Sequence, residues 1–343
     1  MVDKQQCDRQ RSGLLLFLFY IGWWFHKVEK IMATGSTDLW RRTSKPVIAF
    51  LMVSMLALVN MAAVEARTVT IDLDQLKDGD KSEVDGWRLI SGINLWLEES
   101  QAKDVDTYII KGNATKFRIT VSAPDKKCIF QGNVTLSQIY FSWGNGTFTI
   151  ELQGKLTVRN KEKYPPISIG SAYTIFIITG PGTLDAIAES DYCPGIGSLI
   201  DYNTSSGKPY DNGTVIIKSG TVNATGGKYG CGIGSGGNSY RNLFQPGKMN
   251  AGSGGTIRIE GGTVNATGNG GAAGIGGGFS LYGKGGQGGN IIISGGTVNV
   301  TVTGGGAGIG GGSTGITSKT DLRGGLAGNY LQTGGTVTVH SED

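Results

Sequence analysis

A glycine-rich repeat with two fixed spacings constrains the fold of this chain more than any other feature. Three blocks align without gaps: residues 213–234, 255–276 and 289–310. Each block carries three apolar patches, V/I-x-I, T-V-N-A/V-T and A/C-G-I-G, whose apolar residues lie 7 and then 11 positions apart. The spacing to the next block varies, being 24 positions from Ile233 to Ile257 and 16 from Ile275 to Ile291. Two constant spacings beside one variable stretch indicate a repeating structural unit with variable loops at one corner.

Composition and periodicity identify the unit as a coil of short strands. Gly accounts for 59 of the 343 residues but follows no G-X-Y period, which excludes collagen. The first two patches alternate apolar and polar residues with period 2, as half-buried strands do, and the blocks show no helical periodicity. Three strands per unit, turned by glycine pairs and stacked unit on unit, predict an all-β fold, a parallel β-helix or solenoid.

Less regular copies of the unit precede the three blocks. Apolar alternation recurs in four shorter stretches: 117–121, 134–136, 150–158 and 167–170. The β-helix is therefore expected to span residues 111–343. Residues 67–110 hold ten Asp and Glu against five Lys and Arg, together with Trp87 and Trp96. We predict that this acidic segment caps the N-terminal end, because an open β-helix end would present an unpaired strand edge.

The N-terminal segment has the layout of a secretory signal. An apolar run at 46–64 follows three basic residues and ends in the small-residue sequence Ala62-Ala63-Val64-Glu65-Ala66. We predict a signal peptide over residues 32–66, and we interpret residues 1–31 as an upstream extension of the gene model. The alternative is that the apolar run stays in place as a membrane anchor, the one case in which membrane insertion is expected. Both interpretations predict a secreted or cell-surface protein.

The repeat resembles that of a known group of surface proteins. The pattern G-G-T-V-x-A-T-G followed by A-G-I-G-G-G, at 261–278, is similar to the glycine-rich repeats of bacterial and protist proteins described as carbohydrate-binding domain-containing. The likeness covers residues 105–340. It implies a pectin-lyase-like, right-handed parallel β-helix that binds carbohydrate or mediates adhesion without catalysis. Since a fold does not determine a function, a structural surface protein without a defined ligand stays an alternative.

The second patch predicts a polar face. If its valines point inward, alternation places their neighbours on the outer surface, one rung above another. Nine residues then form a lattice of hydroxyls and amides: Thr221, Asn223, Thr225, Thr263, Asn265, Thr267, Thr297, Asn299 and Thr301. Such a lattice could hydrogen-bond a linear polysaccharide or a surface glycan, or it could order water as an ice-binding face does. The alternative is that the Asn and Thr ladders only stabilise the stack.

A catalytic interpretation rests on four acidic residues of one degenerate turn: Asp185, Glu189, Asp191 and Asp201. Grouped carboxylates serve polysaccharide-active enzymes as Ca²⁺ ligands or as general acid and base. No counterpart occurs on adjacent rungs, and the two histidines, His26 and His340, lie outside the three blocks. We therefore predict no enzyme activity and no catalytic residues, with a polysaccharide lyase or hydrolase as the alternative. No cofactor or metal is expected apart from Ca²⁺ at this cluster.

Other residues bear on modification and partners. Besides the three lattice asparagines, five Asn-x-Ser/Thr sequons are candidates for glycosylation: Asn113, Asn133, Asn145, Asn203 and Asn212. Glycans on the stacked lattice asparagines would collide, so few of those three are expected to be modified. Cys193 and Cys231 precede G-I-G in successive units, which permits either a disulfide at strand spacing or two buried free thiols. A net charge of +4 is too small to predict nucleic acid as a partner.

Overall fold

The alternating patches form β-strands that pair in parallel from one repeat to the next. The computed structural model describes residues 67–98, 105–142, 145–198, 212–239, 250–315 and 324–342. The predicted signal segment, the extension before it, Asp201 and Asn203 lie outside these residues. The strands of the first part are β1 (Arg67–Asp72), β2 (Lys81–Ser82), β3 (Trp87–Ile90), β4 (Asn94–Leu97), β5 (Val105–Lys111), β6 (Arg118–Val121), β7 (Lys126–Leu136), β8 (Gln138–Phe141), β9 (Gly146–Asn160), β10 (Ile167–Ile169), β11 (Thr174–Thr179) and β12 (Thr183–Ala188).

The three blocks supply most of the later strands. These are β13 (Ile196–Ser198), β14 (Thr214–Ile217), β15 (Thr221–Thr225), β16 (Ile233–Ser235), β17 (Thr256–Ile259), β18 (Thr263–Gly268), β19 (Ile275–Gly276), β20 (Asn290–Ile293), β21 (Thr297–Thr303), β22 (Ile309–Gly310), β23 (Asn329–Gln332) and β24 (Thr336–Glu342). The described residues contain one short 3-10 helix, Leu73–Gln75, and no helix among them is long and apolar enough to cross a membrane.

Each regular coil of the chain contributes one strand to each of three faces. Within the described residues, a sheet of 14 strands supplies two faces and a sheet of 10 strands supplies the third. The first face contains β11, β14, β17, β20 and β23, and the second face contains β12, β15, β18, β21 and β24. The 15-residue strand β9 crosses the corner between them, so its first half pairs with β11 and its second half with β12. The third face runs from β4 through β6, β8, β10, β13, β16 and β19 to β22.

This arrangement is a right-handed parallel β-helix, which confirms the predicted fold class. The variable stretch lies between a third-face strand and the next first-face strand, as the spacings predict. It runs from Ser235 to Thr256 in one coil and from Gly276 to Asn290 in the next. Its described residues still stack from coil to coil, as where Asn238 pairs with Ser280 and Ser280 with Thr314.

The interior of the β-helix is a continuous apolar column. One row of the second face contains three fully buried valines in register: Val222, Val264 and Val298. Aromatic side chains fill the earlier coils, where the ring centroid of Phe141 lies 4.6 Å from that of Phe148 and 5.1 Å from that of Phe176. Burial stabilises such a column by about 25 cal/mol per Å² of apolar surface. The coils are therefore held by inward side chains of the stacked strands, and the glycines permit the turns and close approaches between them.

Glycine on the third face permits the closest approach between coils. Gly234 in β16 pairs with Gly276 in β19, and its φ of +142° is one that side chains rarely adopt. A Cβ added to Gly234 would lie 2.0 Å from the carbonyl oxygen of Gly276. Both the backbone conformation and the spacing between coils therefore require glycine at this position.

The N-terminal segment departs from the parallel repeat. Strand β1 pairs in parallel with β5, whereas β2, β3 and β4 pair with one another antiparallel. Strand β4 then pairs in parallel with β6, so the antiparallel strands form one end of the third-face sheet. Acidic side chains here bind basic ones, as in the ion pairs Arg67–Asp85 and Lys111–Asp72. The role of this segment as a cap stays a prediction.

Candidate ligand-binding face

The second face presents the nine residues of the predicted lattice in three columns. Strand β15 pairs with β18, and β18 with β21, residue by residue. The columns are Thr221–Thr263–Thr297, Asn223–Asn265–Asn299 and Thr225–Thr267–Thr301. Residues within a column are about 4.8 Å apart, and columns are about 6.7 Å apart because outward residues are two positions apart along a strand. All nine residues are at least partly exposed.

The asparagines of the middle column form a hydrogen-bonded ladder. Asn299 Nδ2 donates to Asn265 Oδ1 over 2.9 Å, and Asn265 Nδ2 donates to Asn223 Oδ1 over 2.7 Å. Bonds in such a chain polarise one another, which strengthens each of them. Every amide in the ladder keeps one N–H and at least one lone pair for another partner. The asparagines therefore link the coils and are only partly available to a ligand.

Asp185 ends this ladder on the preceding coil. Asn223 Nδ2 donates to Asp185 Oδ1 over 2.6 Å, and Lys155 Nζ lies 2.9 Å from Asp185 Oδ2. Both oxygens of the carboxylate are thus engaged, and the Asp185 side chain is only 17% exposed. A charged acceptor shortens and strengthens the hydrogen bond that it receives. Asp185 therefore anchors the asparagine ladder.

Of the four predicted acidic residues, the three that the structure describes are not gathered into one site. Glu189 forms an ion pair with Arg159 over 2.5 Å. It follows Asp185 by four residues of extended chain, about 13 Å. Asp191 is exposed, and Asp201 lies outside the described residues. Across the described ranges, no group of three or more His, Cys, Asp or Glu side chains is arranged to hold a metal ion. Asp185 and Glu189 are therefore engaged by separate cations, and the place of Asp201 in such a cluster stays a prediction.

The threonine hydroxyls on either side of the ladder have no internal partners. On the lattice coils, the side-chain hydrogen bonds of the second face are those of the middle column and one at the end of β21, where Thr303 Oγ1 accepts from the backbone N–H of Gly270 over 3.0 Å. The six threonines of the outer columns make none with any residue that the structure describes. Each hydroxyl can therefore offer one donor and two acceptor sites to a molecule lying on the face.

The columns continue onto coils that sequence reasoning did not include in the lattice. Thr135 pairs with Thr157, and Thr157 pairs with Asp185, which extends the middle column towards the N-terminus. In the other direction β24 adds Thr338 and His340 to the middle and third columns. The alternation in 134–136 and 150–158 signalled strands, but the degenerate coils share no motif from which their register could be read.

An aromatic stack beside the main core was also not predicted from the sequence. The ring of Tyr229 lies 4.9 Å from that of Tyr192 and 4.8 Å from that of Phe279. Tyr192 and Tyr229 have positive φ angles of 64° and 69°. The residue that aligns with Tyr229 in the next coil is Gly271. A residue with a side chain in this left-handed region destabilises the fold by about 1–2 kcal/mol, and aromatic contacts offset about 0.5–1.5 kcal/mol of this. No local signal in the sequence marks these positions, because glycine would be the expected residue.

The sequons outside the lattice differ in accessibility. Asn113, Asn133 and Asn145 are exposed. Asn212 is only 3% exposed, and its Nδ2 donates to the carbonyl oxygen of Gly254 over 3.0 Å. The prediction that Asn212 is available for glycosylation is therefore corrected, because the folded chain buries the atom that would carry the glycan.

Of the two alternatives for Cys193 and Cys231, the structure has the free thiols and not the disulfide. The three cysteines within the described part of the chain, Cys128 included, are buried and free. Counted back from the paired isoleucines of the two coils, Cys193 lies opposite Gly230. The extra residue Pro194 takes the position opposite Cys231. One inserted residue thus moves the two thiols out of register, and the free-thiol alternative is correct.

Burial should make these thiols unreactive in the folded protein. It raises the pKa of Cys193 and of Cys231 to about 12, and it raises the pKa of Cys128 as well. Only the thiolate reacts with alkylating agents, so we expect all three to resist iodoacetamide at about pH 8 until the chain unfolds. Peptide mass spectrometry of the full chain, alkylated before and after denaturation without reductant, measures this. A cross-linked peptide, or equal labelling in both states, would contradict the expectation.

Comparison with known proteins agrees with the fold. A family model described as a beta helix repeat matches residues 215–237 and 257–279, which belong to the first two blocks. No curated protein and no solved structure matches the chain. The strands and the matched repeats define this molecule as a parallel β-helix with beta helix repeats, and its second face carries an ordered polar lattice.

Proposed function

We propose that this protein binds carbohydrate on the second face of its β-helix, as a non-catalytic binding or adhesion protein that is secreted or held at the cell surface. The observation that carries the proposal is the pair of threonine columns whose hydroxyls have no partner among the described residues. A linear polysaccharide also presents hydroxyl groups at regular intervals. Columns of hydroxyls at about 4.8 Å can therefore make repeated hydrogen bonds to such a chain along the axis of the β-helix.

The two residue types of the lattice have different roles in this proposal. The asparagines bond to each other and to Asp185, so they hold successive coils in register. For the middle column alone, these bonds favour the alternative that the asparagines only stabilise the stack. The threonines of the outer columns then provide the contacts to the ligand. Binding by a fixed surface lowers the conformational cost of association, because the hydroxyls are already positioned.

The absence of catalysis is also part of the proposal. Glycoside hydrolysis needs two carboxyl groups on either side of the scissile bond. Asp185 is bound by Lys155 and Asn223, and Glu189 is bound by Arg159. Carboxylates with these partners are poorly placed to transfer protons, which supports a binding function. The signal-like segment and the exposed sequons support an extracellular location.

Removing two outer-column hydroxyls should weaken binding without changing the fold. We expect the double variant Thr225→Val/Thr267→Val to bind its polysaccharide about tenfold less tightly, because two hydrogen bonds are lost while the side-chain shape is kept. The full chain is first tested for retention on immobilised pectin, alginate and cellulose. Affinity for the retained polymer is then measured by titration calorimetry.

The matched control places the same change on another face. Thr214→Val/Thr256→Val removes two partly exposed hydroxyls from β14 and β17 of the first face, and we expect it to bind as the unmodified chain does. Equal affinity of the second-face variant and the unmodified chain would reject the assignment of the site. Retention on none of the three polymers would reject the binding function, and release of new chain ends from pectin or alginate would reject its non-catalytic character.

A further inference from the structure

A groove of about 850 Å³ lies where the N-terminal end of the second face meets the third face. Residues from four stacked segments line it: 90–94, 115–118, 135–137 and 157–162. Its volume is within the range of sites that bind small ligands. Thr135 and Thr157 on its wall belong to the same column as Asp185 and Asn223. The groove is therefore continuous with the face to which we assign carbohydrate binding.

The groove wall is basic. Four cationic side chains line it against one carboxylate, that of Glu162: Lys116, Arg118, Arg159 and Lys161. Glu189 adds a second carboxylate by its contacts with Arg159 and Lys161. Four positive and two negative groups leave an excess of +2. In the whole chain the basic and acidic residues nearly balance. The excess of positive charge is therefore local to the groove.

The cations of the groove are only partly satisfied. Arg118 lies 3.7 Å from Glu162, and Lys161 lies 3.8 Å from Glu189, both at the long end for an ion pair. The side chains of Lys161 and Glu162 are 79% and 72% exposed. Exposed pairs of this kind contribute little, about 0–1 kcal/mol. A ligand anion can therefore replace Glu162 beside Arg118 at small cost.

The groove also holds groups that suit a sugar. The hydroxyls of Thr115 and Thr157 lie on its wall, and the Ser137 hydroxyl, which donates to the carbonyl oxygen of Phe117 over 2.9 Å, keeps its acceptor sites. Next to the groove, the guanidinium carbon of Arg118 lies 5.8 Å from the centre of the half-exposed Tyr164 ring. Guanidinium groups bind carboxylate and sulfate oxygens in pairs, and hydroxyls bind the neutral oxygens of a saccharide.

We propose that this groove binds the anionic groups, carboxylate or sulfate, of an acidic polysaccharide whose chain continues along the threonine columns. The proposal rests on carbohydrate binding by the second face and adds the substrate class. The groove supplies selectivity for charged polymers, and the columns supply contacts common to all of them.

Neutralising two exposed lysines of the groove tests the proposal. We expect Lys116→Gln/Lys161→Gln in the full chain to bind polygalacturonate about tenfold less tightly at low salt, since two charge contacts are lost. Binding of the unmodified chain should weaken as salt is added. Neutral dextran should be bound equally by both. The control Lys218→Gln/Lys284→Gln makes the same change in net charge at two exposed lysines elsewhere, and it should bind polygalacturonate as the unmodified chain does.

The outcomes separate the sources of charge and the two proposals. Binding of polygalacturonate alone identifies carboxylates as the ligand groups, and equal binding of dextran sulfate identifies anionic groups in general; both support the groove. Equal losses in the groove variant and its control, or tighter binding of duplex DNA than of either polysaccharide, would overturn it. The variant Thr225→Val/Thr267→Val, measured on the same polymers, tests the columns separately. If it weakens binding while the groove variant does not, carbohydrate binding by the second face is retained and the groove is rejected.

Discussion

Replacing Gly234 by alanine is expected to lower the free energy of unfolding by about 4 kcal/mol or more. The new Cβ would lie 2.0 Å from a backbone oxygen of the next coil, at Gly276. Backbone atoms of a paired strand cannot rotate away as a side chain can, so the third-face coils must separate locally. The φ of +142° adds strain of its own. Chemical denaturation of the full chain, followed by circular dichroism, measures the loss.

A glycine with space around it provides the control. Gly132 also has a positive φ, +72°, but a Cβ added there would have no atom within 4 Å. Gly132→Ala should therefore cost only the strain of the left-handed region, about 1–2 kcal/mol. If the two variants lost equal stability, close packing of coils on the third face would not be what requires glycine at Gly234.

Truncating Phe176 is expected to cost about 3–5 kcal/mol of unfolding free energy. Its ring is fully buried, with centroids 5.1 Å from that of Phe141 and 6.3 Å from that of Phe148. Strand β11 is paired on both sides, with β9 and β14, so the backbone cannot collapse into the cavity that Phe176→Ala would leave. The same denaturation experiment measures the effect.

The neighbouring residue of the same strand supplies a matched comparison. Ile175 points outward and is 37% exposed, so Ile175→Ala should cost less than about 1 kcal/mol. Phe176→Leu should recover part of the lost stability, because it refills much of the volume. Equal effects of the alanine variants at positions 175 and 176 would contradict the assignment of Phe176 to the core and Ile175 to the surface.

The predicted columns of the second face follow from the repeat because copies of one unit carry their own register. Three aligned blocks place Asn223, Asn265 and Asn299 at one position of one strand, and parallel pairing then stacks them. Degenerate coils provide no such guide. The single extra residue Pro194, between Cys193 and the paired isoleucines, is enough to exclude a disulfide of Cys193 with Cys231, because it places Cys193 opposite Gly230.

The sequence by itself determined the fold class, the three strands of each regular coil, the corner that varies and the residues of the outer lattice. These features depend on local alternation and on identical copies, both of which are visible in a linear pattern. Only the tertiary structure decided that Asp185 anchors the asparagine ladder, that Asn212 is buried, and that cations from distant segments meet in one groove. Such contacts join residues roughly 20 to 45 positions apart on different coils, and their register is set by irregular turns whose lengths no local pattern fixes.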